Sequence, residues 1–167
     1  MEPQIKAFST QDKLARTRCF MGGYWTFLAT SEDTNGQFSL IEMNLRKGLE
    51  PPRHTHTYED ESFYILAGEV HFFIEEEEYQ IKAGQFLYIP KGTAHNFKLI
   101  TDTAKILTQL TPGGLEGMFL EMSTPALVMD FPPMPSGPPP AEWIQKIHLL
   151  QNKYGIIGID NSKIKAT

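Results

Sequence analysis

The sequence predicts an all-β domain, a sandwich or a barrel, that is followed by one helix near the C-terminus. Between about residues 22 and 111, short runs rich in Phe, Tyr, Ile, Leu and Thr alternate with turn residues. No helical periodicity interrupts these runs, which disfavours a parallel α/β sheet. Many short strands at close spacing are typical of an all-β sandwich or barrel.

The predicted strands follow one another with little sequence between them. In chain order they are "YWTFLAT", "FSLIEMNL", "SFYILAGEVHFFI", "YQI", "QFLYIP", "HNFKLI" and "AKILTQL". The acidic run "EEEEY" falls between two of them and predicts a solvated hairpin end. The Asp/Asn/Gly pattern of a calcium-binding loop does not surround it.

The composition changes after residue 111. The stretch "TPGGLEGMFLEMS" predicts a short helical turn after Gly114, and the Pro-rich residues 131–140 predict an extended strap. Residues 140–153 predict an amphipathic helix that ends at Gly155. Its apolar stripe is formed by Trp143, Ile144, Ile147 and Leu150. We therefore expect a single domain over residues 1–167, with the strap and helix packed on the barrel.

Composition excludes several classes of function. The chain of 167 residues has a net charge of −5, and no cluster of Lys and Arg offers a phosphate-binding stripe, so nucleic acid is not an expected partner. Cys19 is the only cysteine, which excludes an intrachain disulfide framework and a thiolate zinc cluster. No signal peptide or membrane-spanning run is evident, so we expect a cytoplasmic protein.

The stretch "HTHTYEDE", residues 54–61, predicts part of a metal site. His54 and His56 point to the same face of a strand because they are two residues apart. Glu61 is five residues beyond His56, so a turn or bulge must re-aim it before it can join them. Glu59 and Asp60 lie in that turn and are expected to be solvated.

A third histidine, His95, opens another predicted strand after a Pro-Lys-Gly turn. Three imidazoles and one carboxylate suit Fe, Mn, Co, Ni, Cu or Zn and suit Ca or Mg poorly. The alternative is that these histidines are unrelated surface or core residues, since a histidine pair two residues apart is common. His71 and His148 are expected to lie at the surface.

The spacing of these residues resembles the two conserved motifs of the cupin superfamily. The first motif is matched by Gly48, His54, His56, Glu61 and Gly68, and the second by Gly84, Pro90, Gly92 and His95. The second motif departs at its end, where Leu99 replaces an asparagine that is not a metal ligand. The resemblance implies a double-stranded β-helix, that is, a jelly-roll barrel. It also implies that His54, His56, Glu61 and His95 bind one metal inside it.

Within this superfamily, the chain resembles the quercetin dioxygenase-like group of single-domain bacterial cupins. That resemblance rests on "YWTFLATSEDTNGQFSLIE", "EDESFYILAGEV" and "TPGGLEGMF". It implies a metal-dependent dioxygenase acting on a small aromatic or enolisable substrate, with Glu61 as both ligand and catalytic base. Iron(II) is the first choice of metal, and Mn, Ni, Cu and Zn are alternatives. An isomerase or lyase acting on a sugar or keto acid, or a non-catalytic binder of small molecules, would also fit.

Strand alternation predicts which residues surround the metal. The expected substrate pocket is lined by Trp25, Phe27, Phe63, Ile65, Phe97 and Leu99. An apolar lining around a polar centre is usual for a small-molecule pocket, although each of these residues also suits an ordinary barrel core. Met118 and Phe119 are expected either to cover one mouth of the barrel or to pack outside it, and Tyr58 to donate a hydrogen bond near the ligands.

The oligomeric state is predicted from the amount of apolar surface and from the general frequency of dimers. The apolar strand faces, the N-terminal extension and the Pro-rich extension offer more surface than one small barrel needs, and two-fold dimers are the commonest oligomers. We therefore expect a homodimer.

Overall fold

Two antiparallel sheets make up most of the chain in the computed structural model, which describes residues 6–158. Their strands are β1 (Thr17–Phe20), β2 (Gly23–Ala29), β3 (Ser39–Arg46), β4 (His54–His56), β5 (Asp60–Ala67), β6 (Glu69–Ile74), β7 (Glu77–Lys82), β8 (Phe86–Ile89), β9 (His95–Leu99), β10 (Thr103–Thr111), β11 (Thr124–Pro125) and β12 (Ile156–Gly158). The larger sheet has the order β11-β1-β2-β3-β10-β5-β8 and the smaller one β12-β4-β9-β6-β7. The predicted all-β jelly-roll barrel is confirmed.

Apolar side chains from both sheets fill the space between them. On β10, burial alternates along the whole strand, so that one face looks into the barrel. The largest fully buried side chains include Phe63, Phe72, Ile41, Ile65, Leu99 and Ile106. Each contributes about 1.5–3 kcal/mol through removal of its apolar surface from water. This packing holds the inner faces of the two sheets against each other.

Chain crossings between the sheets place the functional segment. β4 belongs to the five-stranded sheet and β5 to the seven-stranded sheet, so residues 57–59 carry the chain from one sheet to the other. The hairpin between β5 and β6 turns at Gly68, which has a φ of 87°. A Cβ atom there would lie 2.7 Å from the carbonyl oxygen of Thr103, so this turn requires glycine.

Three α-helices lie outside the sheets in residues 6–158: α1 (Ser31–Thr34), α2 (Glu116–Met122) and α3 (Ala141–Tyr154). α3 and the short α2 confirm the two predicted helical segments. α1 was not predicted because its single turn is too short to show periodicity; a capping box formed by Thr30 and Asp33 stabilises it.

The buried carboxylate of Glu116 ties α1 to α2. Its Oε1 accepts a hydrogen bond from the backbone N–H of Ser31 at 2.5 Å, and its Oε2 accepts one from Gly114 at 2.6 Å. Burial raises the pKa of Glu116, but hydrogen bonds from Ser31 and Gly114 outweigh it, and the net pKa lies below the ordinary value. The carboxylate therefore stays charged and fixes the start of α2.

The Pro-rich residues 131–140 contain no regular secondary structure. The Arg46 guanidinium lies 4.5 Å from the ring centroid of Phe131 and donates a hydrogen bond to the carbonyl oxygen of Pro132 at 2.9 Å. The start of this segment therefore lies against β3 of the seven-stranded sheet.

α3 follows the Pro-rich segment and ends at Gly155, whose φ of 70° is left-handed. Leu150 is buried, Trp143 and Ile147 are half-buried, and Ile144 is exposed, so only part of the predicted apolar stripe packs on the protein. Glu121 of α2 accepts hydrogen bonds from Lys153 and Tyr154, which joins the two helices. No helix within residues 6–158 has the length and apolar character needed to cross a membrane.

Candidate metal centre

Four side chains converge inside the barrel: His54, His56, Glu61 and His95. Each offers one ligand atom, and the four atoms lie within 4.8 Å of one another. His54 and His56 share a face of β4, and His95 lies opposite His54 on β9. Glu61 reaches the same point from β5 in the other sheet, because the crossing at residues 57–59 turns the chain towards it.

The ligand atoms are close-packed and shielded from water. His54 Nε2 lies 3.1 Å from His56 Nε2, and Glu61 Oε2 lies 3.2 Å from the Nε2 atoms of both His56 and His95. His56, Glu61 and His95 are buried, and His54 is half-buried. In this water-poor environment, electrostatic interactions among the four groups are strengthened.

The outward nitrogens of two histidines are fixed by the backbone. His54 Nδ1 lies 2.8 Å from the carbonyl oxygen of Pro52, and His95 Nδ1 lies 2.9 Å from that of Thr93. A carbonyl oxygen can only accept, so Nδ1 donates in each ring, and in the neutral imidazole Nε2 then carries a lone pair. The His95 lone pair faces an oxygen of Glu61, an arrangement that repels unless a positive charge lies between them. The donor set therefore fits a cation, and its mixed nitrogen and oxygen ligands fit a transition metal.

His56 differs from the other two histidines because no backbone carbonyl within the described residues 6–158 meets its Nδ1. The nearest acidic atom is Oε2 of Glu59, at 3.9 Å. Both atoms are buried and neither has a hydrogen-bond partner within residues 6–158. Glu59 was predicted to be solvated, and this is wrong. The side chain is 5% exposed, because the crossing between the sheets turns it inward.

The electrostatics of the cluster keep Glu61 negative and His54 neutral. Burial and the neighbouring His95 and His56 lower the pKa of His54 to about 4. Burial raises the pKa of Glu61, but His56 and His95 lower it by more when they carry a positive charge, so the net pKa lies well below the ordinary value. Burial lowers the pKa of His56, but the Glu61 carboxylate outweighs it and the net pKa is raised. Burial raises the pKa of Glu59.

A cavity of about 120 Å³ opens from the four ligand residues. Of the predicted pocket residues, Trp25, Phe63 and Phe97 line it. Met118 and Phe119 of α2 line it as well, so α2 covers this mouth of the barrel, and α3 contributes Ile147 and Gln151.

Three of the residues expected to line the substrate pocket do not line this cavity and instead belong to the core of the barrel: Phe27, Ile65 and Leu99. They face inward as predicted, but their neighbours are other core side chains. Ile65 pairs with Ile106, and Leu99 pairs with Val70. Both positions lie two residues farther along their strands than Phe63 and Phe97, beyond the end of the cavity. Phe27 pairs with the fully buried Ile41.

Several cavity residues were not predicted. The clearest is Thr108, which is 1% exposed and lies on the inner face of β10 between Ile106 and Leu110. Alternation along "AKILTQL" could have placed it there. Ile156 of β12 pairs with His56, but the short segment after α3 carries no signal for a strand that returns to the metal site. The remaining unpredicted lining residues are Phe20, Met21, Met43, Leu45, Arg46, Leu49, Glu50, Pro51, Pro52 and Gly158.

Three further expectations concern residues around the site. Tyr58 does not donate to the ligands, because its side chain is 58% exposed and packs beside Gly155. His148 is exposed on α3, as expected. His71 is half-buried, and its Nε2 lies 3.0 Å from a carboxylate oxygen of Glu78.

Comparison with known proteins gives matches in both sequence and fold. A family model described as Cupin domain matches residues 41–109. Quercetin 2,3-dioxygenase of Bacillus subtilis (strain 168) is 32% identical over 98 residues. That alignment covers 59% of this chain but only 29% of the dioxygenase.

Solved structures that share the fold include the following two. KdgF from Halomonas sp. superposes with a TM-score of 0.57 at 15% identity, covering 66% of this chain and 99% of that one. Oxalate decarboxylase from Bacillus subtilis superposes with a TM-score of 0.53 at 24% identity, covering 64% of this chain and 28% of that one. At these identities the likeness concerns the fold alone.

Proposed function

Since the chain belongs to the cupin superfamily, we propose that it is a metal-dependent dioxygenase acting on a small aromatic or enolisable substrate. One observation carries this proposal: three histidines and a glutamate meet at the inner end of an apolar cavity. The 32% identity to a quercetin 2,3-dioxygenase supports the choice of reaction.

We propose that His54, His56, Glu61 and His95 hold one divalent transition metal. Iron(II) is the first choice, and manganese, nickel, copper and zinc are the alternatives. When bound, such a metal supplies Lewis-acid chemistry and, for iron, manganese, nickel or copper, one-electron chemistry at the inner end of the cavity. The only negative charge among the four ligands belongs to Glu61, which partly neutralises the cation.

The chain's own residues would supply the rest of the mechanism. Glu61 lines the inner end of the cavity, so its carboxylate is placed to take a proton from an acidic O–H or C–H group of a substrate held there. Phe63, Phe97 and Trp25 form walls that exclude water. α2 and α3 cover the mouth with Phe119 and Gln151.

The size of the cavity restricts the substrate. Its volume of about 120 Å³ is close to that of an engineered apolar cavity of about 150 Å³ that binds benzene. We therefore propose a substrate about the size of one aromatic ring, such as a catechol or a small enediol. A flavonol, with three rings, would require α2 and α3 to move away from the mouth.

Two buried polar groups on the cavity wall suit a polar substituent of that substrate. Thr108 Oγ1 and Trp25 Nε1 belong to lining residues, and neither has a hydrogen-bond partner in the part of the chain that the structure describes. A buried polar atom without a partner costs about 1–3 kcal/mol. A substrate oxygen that accepts a hydrogen bond from these groups would recover part of this cost.

Thr108→Val removes the hydroxyl while keeping the shape of the side chain. We expect KM to rise about 3- to 10-fold, which corresponds to the loss of one hydrogen bond between neutral groups, with metal content unchanged. Steady-state kinetics and metal analysis check this result. Thr108→Ser, which keeps the hydroxyl, is the matched control. An unchanged KM in Thr108→Val for every accepted substrate would assign Thr108 to the core.

Oxygen consumption tests the proposed reaction. Protein purified without a histidine tag is reconstituted with each candidate metal and supplied with catechols, small enediols and flavonols under ¹⁸O₂. We expect metal-dependent oxygen uptake and two ¹⁸O atoms in the product. Equal turnover of keto acids, sugars or oxalate without oxygen would identify an isomerase or a lyase instead, and saturable binding without any product would identify a binding protein.

The homodimer stays a prediction and is also part of this proposal. The outer face of β5 and β8 exposes a group of large apolar side chains: Tyr64, Leu66, Phe86 and Tyr88. Aromatic residues are enriched in interface cores, and a two-fold dimer would use the same face twice. Sedimentation should give about twice the chain mass of 18.9 kDa. A monomer at micromolar concentration would contradict it.

A further inference from the structure

The three histidines of the ligand cluster are held in two different ways. Backbone carbonyls of Pro52 and Thr93 accept from the Nδ1 atoms of His54 and His95. His56 instead faces a carboxylate on each side of its ring. Glu61 Oε2 lies 3.2 Å from its Nε2, and Glu59 Oε2 lies 3.9 Å from its Nδ1.

This arrangement leaves the position of the His56 ring proton to be decided by two carboxylates. A neutral imidazole carries one N–H, which lies either on Nε2, facing Glu61, or on Nδ1, on the side of Glu59. For Nε2 to serve as a metal ligand it must present a lone pair, so the proton must then lie on Nδ1. Glu59 is the acidic side chain placed on that side of the ring.

The surroundings of Glu59 show which of its neighbours among residues 6–158 its carboxylate can interact with. Its side chain is 5% exposed, and its Oε2 has no hydrogen-bond partner there. Glu61 and Glu116 repel the Glu59 carboxylate, whereas His56 and a hydrogen bond from the backbone N–H of Glu59 itself stabilise it. A buried carboxylate oxygen without a hydrogen-bond partner is costly, so electrostatic attraction between Glu59 Oε2 and the Nδ1–H of His56 offsets part of that cost.

We infer that Glu59 is a positioning residue of the metal centre, whose carboxylate orients His56 and holds its proton on Nδ1. This inference rests on the proposed metal site. At 3.9 Å from Nδ1 the carboxylate acts on the ring through its charge and not through a hydrogen bond, and a negative charge on the Nδ1 side makes the ring a more basic ligand.

Metal affinity and spectra of Glu59 variants test this inference. Partners of this kind typically contribute 10- to 100-fold to metal affinity. We expect Glu59→Ala to raise the Kd for Co²⁺ and Zn²⁺ by about that factor and Glu59→Gln, which keeps an acceptor oxygen but not its charge, to raise it by less. The absorption bands of bound Co²⁺ should shift in the same order. Tyr58→Phe, at the exposed neighbouring position, is the control and should match the wild type.

Two comparisons separate this inference from the proposed function. If the wild-type protein binds no metal at the cluster, the proposed function fails. If it binds metal and both Glu59 variants keep the wild-type Kd and Co²⁺ spectrum, Glu59 has no positioning role and the inference is overturned. The inference would also be overturned if the metal-free variants unfolded at a different temperature while Kd and the Co²⁺ spectrum stayed unchanged. Glu59 would then contribute only to the packing of the folded protein.

A measurement on the unaltered protein covers the case in which the variants do not fold. In ¹⁵N-labelled wild-type protein loaded with diamagnetic Zn²⁺, the Nδ1–H of His56 should give a low-field proton resonance that is protected from exchange with water. Nitrogen shifts that place the proton on Nε2 would contradict the inference.

Discussion

His95→Ala is expected to abolish metal binding at the cluster and turnover together. The side chain is 1% exposed, and its Nε2 faces the centre while Nδ1 is held by the carbonyl of Thr93. Alanine removes one of the four ligand atoms and leaves the Glu61 carboxylate with one fewer partner. The loss of affinity should exceed the 10- to 100-fold that loss of an outer partner costs.

Thermal unfolding gives a readout of this variant that does not depend on activity. A ligand at 100 times its Kd stabilises the folded state by about 2.7 kcal/mol. Wild-type protein should therefore unfold at a higher temperature when metal is added, and His95→Ala should show no such shift at the same metal concentration. His148→Ala, on the exposed face of α3, is the matched control and should behave as wild type. Full metal loading of His95→Ala would contradict the proposed ligand set.

The convergence of the ligands was largely readable from the sequence. A strand fixes the direction of every second side chain, so His54 and His56 had to share a face. The position of Glu61 was harder to predict. It lies five residues after His56, and an odd number of residues along one straight strand would place the two side chains on opposite faces. The structure resolves this difficulty by placing β4 and β5 in different sheets, so that the carboxylate meets the imidazoles across the barrel.

The shape of the cavity was not readable from alternation. Alternation identifies inward residues but not how far along the barrel the packed core extends. Phe27, Ile65 and Leu99 therefore face inward yet lie outside the cavity, whereas Phe63 and Phe97, nearer the ligands, line it. Glu59 was missed for a related reason, since a turn has no periodicity from which the direction of a side chain can be inferred.

The segments that follow the barrel in the sequence complete the site, and their positions there depend on tertiary contacts that the sequence pattern does not reveal. α2 brings Met118 and Phe119 over the mouth, and β12 adds Ile156 beside His56. The sequence predicts the helical turn of α2 but leaves open whether it covers the mouth or packs outside the barrel, and β12 is too short to carry a pattern of its own. Their positions follow from contacts such as that between Glu121 and Tyr154, which joins α2 to α3.

Glu61→Gln is expected to separate metal binding from catalysis. The substitution keeps the shape of the side chain and one oxygen donor, but it removes the negative charge and the basicity. Metal affinity should fall, because three neutral imidazoles and an amide no longer neutralise the cation. Turnover at saturating metal should fall by about 10²–10⁴-fold, the range expected for loss of a general base. Metal content and rate are measured on the same samples.

The neighbouring carboxylate supplies the control for this prediction. Asp60 precedes Glu61 on β5, so it points to the opposite face, where its Oδ1 accepts a hydrogen bond from the backbone N–H of Lys91 at 2.9 Å. Asp60→Asn changes the charge of the chain by the same amount without altering the ligand cluster, and it should keep wild-type affinity and rate. If Glu61→Gln is fully loaded with metal and fully active, Glu61 is not the base. If it is fully loaded but slow while Asp60→Asn is normal, the lost rate belongs to the chemistry of the Glu61 carboxylate and not to metal occupancy.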